Sequence, residues 1–217
     1  MSTITTGTTL GGGLLHDSDT TGNLVIKTGS SATTTATFHS NLATTFAGNI
    51  HVNSISTPIQ PMVSGTANTS ITGGTIVPFP SIPSWAKRIT VMFSGVSTNG
   101  SSNPLIQVGT SGSATTTGYS GSAVNLSNAG SIGVSSYTAG FGLNYSNASN
   151  TIHGHLLLTN LTGNHWVASY NFAVPSTAGI CTGAGNITLA GALDYLRVTT
   201  VNGTDAFDAG SINIMWE

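Results

Sequence analysis

The sequence carries almost no charge. Four Lys or Arg and six Asp or Glu are spread over 217 residues, 5% of the chain against about 25% in an ordinary globular domain. Nucleic-acid binding by counterion release needs clustered cations, and Lys87-Arg88 is the only basic pair, so no nucleic-acid partner is expected. No apolar run reaches the roughly 18 residues of a membrane-crossing helix, so no membrane insertion is expected either. Cys181 is the single cysteine, which excludes an internal disulfide and reads as a small buried hydrophobe. The opening residues, Met1-Ser2-Thr3-Ile4-Thr5-Thr6-Gly7, lack the basic and apolar regions of a secretory leader. No stretch shows a helical period.

In place of charge the chain has Ser, Thr, Asn and 28 glycines, with 38% hydrophobic residues and a mean hydropathy of +0.19. Disordered chains combine low hydrophobicity with high charge, the opposite of this balance. Thr, Val and Ile fit a pleated surface, while Gly and Asn fit tight turns. The fold class is therefore all-β. Copies of so neutral a chain repel one another weakly, which suits a protein that lives inside an assembly.

Three regions follow from the pattern. Residues 1–60 hold short β-runs behind Gly-Asn turns, as in Gly22-Asn23-Leu24-Val25-Ile26 and again in Gly48-Asn49-Ile50-His51-Val52. Each run has too few apolar residues for its own core, so burial must come from neighbouring copies. The expectation is an intertwined trimeric β-stem or attachment segment. Residues 61–84 contain Pro61, Pro78, Pro80 and Pro83 and read as a proline-rich neck, because proline removes a ladder donor. Residues 85–217 alternate cleanly: Ile89, Val91 and Phe93 share one face, and further strands are expected at 104–109, 152–159, 166–173, 187–190, 194–201 and 211–216. Strands at short spacing with Gly/Asn turns predict an antiparallel β-sandwich head, jelly-roll-like.

The stretch Pro80-Ser81-Ile82-Pro83-Ser84-Trp85-Ala86-Lys87-Arg88-Ile89-Thr90-Val91-Met92-Phe93 resembles a motif in the C-terminal domains of phage tail-fibre-like proteins. The end of the chain, from Arg197 to Ile214, is similar to the terminal strands of the same domains. The resemblance covers about residues 75–217 and implies a trimeric virion component, commonly receptor-binding at its tip, with no catalytic residues to carry over. The partners it implies are a homotrimer, other virion proteins of the tail, baseplate or capsid, and a host surface glycan. The chain shows no long adaptor region of the kind many tail fibres use, so a trimeric capsid decoration (cement) role stands beside the fibre. A carbohydrate-processing tail protein is the distant alternative.

Several residue groups are candidates for chemistry. On a strand His153 and His155 point to one face, and a threefold axis could gather six imidazoles round one metal ion; the alternative is that they face solvent or pack in a trimer seam without metal. No other cofactor is implied. Tyr119, Tyr137 and Tyr145 lie in the Gly- and Ser-rich stretch 110–150, read as loops, where rings beside Ser and Asn could stack on a receptor sugar; the alternative is that such rings are core. Trp85, Trp166 and Trp216 read as core or seam. Asp205 and Asp208 are the only close carboxylates of the head, and the flanking Asn202-Gly203 and Ala209-Gly210 make them turn residues instead of a glycosidase pair, so no enzyme is expected.

Overall fold

The computed structural model describes the backbone of four strands within residues 15–46, and residues 62–68, 71–128, 130, 132–144 and 147–217. The chain divides into two units, Met1–Gln60 and Pro61–Glu217. In the first, β1 (Leu15–Ser18), β2 (Leu24–Thr28), β3 (Thr33–Phe38) and β4 (Thr44–Phe46) form an antiparallel meander in sequence order, with an irregularity after Ile26. These strands pair within one chain. The second Gly-Asn run, at residues 48–52, lies outside the described residues.

The second unit is built from two antiparallel sheets around one buried core. Its strands are β5 (Val63–Ser64), β6 (Val77–Pro80), β7 (Arg88–Thr98), β8 (Pro104–Thr110), β9 (Ser113–Ala114), β10 (Ser120–Leu126), β11 (Ile132–Tyr137), β12 (Phe141–Gly142), β13 (Ile152–Thr162), β14 (His165–Val174), β15 (Gly179–Thr188), β16 (Tyr195–Thr200) and β17 (Phe207–Trp216). Eight of them run in the order β11-β10-β15-β14-β13-β7-β17-β5, and five form a second sheet, β12-β8-β16-β6 with β9 on β8. A single 3-10 turn, Pro175–Thr177, joins β14 to β15. The alternation read from residues 88–93 is realised: Ile89, Val91 and Phe93 are buried, against Leu156, Leu158, Ile212 and Ile214 of the neighbouring strands and the second sheet's Val108, Leu196 and Val198.

Two expectations are corrected. Residues 61–84 are not a separate neck. β5 pairs with β17, Asn68 bridges Ile212, β6 pairs with β16, and Ile71, Val77, Phe79 and Ile82 are core residues. Proline is tolerated because β6 is an edge strand, where Pro78 and Pro80 point outward and lack no ladder partner. Nor is Tyr137 in a loop: it ends β11, which forms with β10 a six-pair hairpin that extends the eight-stranded sheet. A chain starting at Pro61 should therefore melt cooperatively by itself. One starting at Trp85 loses β5, β6 and four buried side chains, and should show a broad transition well below it by circular dichroism. Equal melting of the two fragments would refute the reassignment of residues 61–84.

Candidate functional site

The outward face of the eight-stranded sheet follows from strand period and register. Ile132, Leu126, Ile180, Ala173 and His153 stand opposite one another across five strands, all exposed. The next row is Val134, Val124, Thr182, Asn171, His155, Met92 and Asn213. Neither row contains a charged residue. Ile132 and Val134 are the barest, with 70% and 72% of their surface open to solvent. The nearest ion pair, Arg88 with Glu217 at 2.9 Å, lies at the opposite end of the face.

His153 and His155 both project from this face, as their spacing requires. A bulge between Ile152 and Gly154 sets them there, and Gly154 has φ of 144°. A Cβ at Gly154 would strike the Asn171 carbonyl, so glycine is needed for the close pairing with β14. The Gly95 N–H donates to Nδ1 of His153 at 3.2 Å. That bond makes Nε2 the protonated nitrogen of the neutral ring, a donor and not a metal ligand. To bind a metal through Nε2, His153 must release Gly95. Among the described residues no group of three or more His, Cys, Asp or Glu is placed to hold an ion.

Of the three tyrosines expected in sugar-binding loops, two are core residues. Tyr119 is 3% exposed and meets Phe141 edge to face at 5.1 Å. Its hydroxyl accepts the Val108 N–H at 2.8 Å and donates toward the Val108 and Thr115 carbonyls. Tyr137 is 8% exposed, lies over Gly142, and accepts from the Asn103 amide at 2.9 Å. Neither ring has a free face for a sugar; Gly142 leaves the space that Tyr137 fills, as Gly183 does beneath Tyr170. Tyr145 lies outside the described residues. Trp166 is buried, while Trp85 and Trp216 pack partly exposed against the core.

These buried phenols have a measurable consequence. Burial pushes Tyr119 and Tyr137 up from 10.0 to about 12, and Tyr170 is raised for the same reason. The folded state thus holds protons that the unfolded chain releases near pH 10. The stability these groups contribute is complete below pH 10 and is lost as pH rises toward about 12. The urea midpoint should fall steeply over that window. A flat midpoint through it would show the phenols to be exposed. Cys181 is likewise buried, its thiol pushed up to about 11, which makes it an inert packing residue.

One end of the unit brings five asparagines together. Asn103, Asn125, Ser127, Asn144, Asn147, Asn150 and Thr177 line an open cavity of about 280 Å³ between the β10–β11 hairpin and the loops after β7, β12 and β14. Its walls are tied together by side chains. Asn144 donates to the Gly133 carbonyl at 2.9 Å and accepts from Ser135 at 3.0 Å, while Asn150 accepts from Ser176 at 3.2 Å. Asn147 closes its own turn by accepting from the Ser149 N–H and hydroxyl. The backbone of Gly133 runs so close beneath Asn125 that a side chain there would collide with Asn125 Oδ1. That Oδ1 is buried without a hydrogen-bond partner. Nearby Asp205 fastens a loop: it accepts the Ser102 N–H at 2.8 Å and the Asn202 amide at 2.6 Å, and these bonds hold its carboxyl below the usual range. A larger groove of about 520 Å³ between β6 and β17 is walled by Pro78, Phe79, Pro80, Ile214 and Trp216 together with the polar Thr66, Asn68 and Ser81.

Sequence reasoning missed the amide cavity. Its members are scattered from 103 to 150 with no motif spacing, and only the fold brings them together. No protein-family model, no curated protein and no solved structure matches the chain.

Proposed function

We propose that the chain is a structural, non-catalytic component of a bacteriophage virion: a trimeric fibre or spike whose β-sandwich head contacts the host-cell surface. The observation that carries this reading is the outward face of the eight-stranded sheet. Soluble monomers rarely leave apolar rows bare, and they guard them with charge. Here Ile132, Val134, Leu126 and Ile180 are exposed and the rows around them are neutral. Such a face suits burial against further copies of the same chain, whose own surface is equally uncharged. The resemblance of residues 75–217 to tail-fibre C-terminal domains supports the particle, and the few charges support a life in an assembly. Asp205 is committed to fastening a loop through the Asn202 amide and the Ser102 N–H, which favours building and binding over catalysis.

The purified chain should have a light-scattering mass three times 21.9 kDa. A monomer at micromolar concentration would sink the trimeric model, and the threefold metal site with it. Reconstruction of the particle then separates the two virion roles: density at the tail supports the fibre, density on the capsid the cement protein.

A further inference from the structure

We infer that the asparagine-lined cavity beside the β10–β11 hairpin is a binding site for a neutral saccharide. In choosing a host-surface ligand the inference rests on the proposed function; it replaces the tyrosines with a defined set of amides. Three observations carry it.

The first is chemistry. The lining side chains are amides and hydroxyls, and no Lys, Arg, Asp, Glu or His is among those described. A phosphate or carboxylate ligand would meet no cation there, and a metal ion no anionic ligand. Sugar hydroxyls both donate and accept, and a primary amide offers both functions in one plane.

The second is unused bonding capacity. The Asn125 side chain makes no hydrogen bond among the described residues, and its Oδ1 is buried against Gly133. Its amide nitrogen is likewise unpaired but open to solvent, so it is left to face the cavity as a donor. Asn103 spends its amide nitrogen on Tyr137 and keeps its oxygen, and Asn147 and Asn150 spend their oxygens and keep their nitrogens. The residual set therefore contains acceptors and donors together.

The third is preorganisation. Asn144 bonded to Gly133 and Ser135, Asn103 to Tyr137, and Ser176 to Asn150 hold the walls from three directions, so little ordering remains to be done on binding. The volume, about 280 Å³, is just below the roughly 300–1,000 Å³ of drug-sized ligand pockets and suits a single sugar ring.

The test uses the whole chain and saturation-transfer NMR with methyl glycosides of glucose, galactose, mannose and N-acetylglucosamine. Glucuronic acid and N-acetylneuraminic acid serve as charged comparisons. At least one neutral glycoside should bind. Asn125→Leu should weaken that binding about tenfold or more while the melting temperature stays level or rises, since the change removes an unsatisfied buried polar atom. Ser127→Tyr, at the rim, should block binding without touching the core. Binding of acidic sugars alone, no binding at all, or undiminished binding by folded Asn125→Leu or Ser127→Tyr protein overturns the proposal. These outcomes are independent of mass and of particle density, so the saccharide site and the virion reading fail separately.

Discussion

Replacing Phe172 by alanine should cost about 3–5 kcal/mol and lower the melting temperature by roughly 10 °C. Phe172 is among the largest fully buried side chains and sits at the middle of the eight-stranded sheet. Its ring lies 5.1 Å from Phe93 and 6.1 Å from Tyr170, so one truncation strips two aromatic contacts and leaves a cavity. The surroundings cannot close over it. Gly154 of β13 stands opposite Phe172 without a side chain to move in, and the Tyr170 hydroxyl is held by the Gly142 carbonyl at 2.8 Å. Phe172→Leu keeps most of the volume and should lose about 1.5 kcal/mol or less. Thermal unfolding of the two variants side by side measures the difference. If alanine melted with the wild type, the sheet's inner face would not be the core described here.

The second large effect concerns association. A chain starting at Pro61 lacks the first unit, so any self-association it shows must come from its own surface. It should associate as concentration rises, and Ile132→Lys with Val134→Lys together should return it to a monomer. Both side chains are more than two-thirds exposed in the single chain, so lysine meets water there and the melting temperature should hold. Two like charges brought against the same neutral face of another copy would have to be buried without partners, which no apolar contact offsets. Sedimentation velocity reads the outcome. Persistence of the oligomer in the double variant would move the contact elsewhere, and a monomeric parent fragment would leave association to residues 1–60.

Period and turn chemistry carry far in this chain. The all-β class, the strands at 88–98, 104–110 and 165–174, and the shared face of His153 and His155 are local properties of alternation, readable without knowledge of what packs on them. The scarcity of charge likewise announces a surface of hydroxyls and amides. What these signals lack is the identity of the neighbour. Pro78 and Pro80 argue against a central strand, yet an edge strand accepts them, and only sheet order reveals which strand is the edge. Tyr119 and Tyr137 stand in Gly- and Ser-rich sequence that reads as loop. Their burial depends on distant partners, Phe141 and the Val108 backbone for Tyr119 and Asn103 for Tyr137, a matter of register and not of composition.

The same distinction separates the two surfaces on which function is argued. Ile132, Leu126 and Ile180 are unremarked apolar residues until antiparallel pairing sets them in one exposed row. Asn103, Asn125, Asn144, Asn147 and Asn150 are ordinary turn and strand residues until three loops and a hairpin converge at one end of the fold. By itself the sequence determined which residues alternate, where the chain turns and that almost nothing in it is charged, because those depend on backbone geometry within a few residues. The tertiary structure alone decided what is buried, which edges accept proline and which distant amides share a cavity, because those depend on long-range pairing that local pattern does not encode.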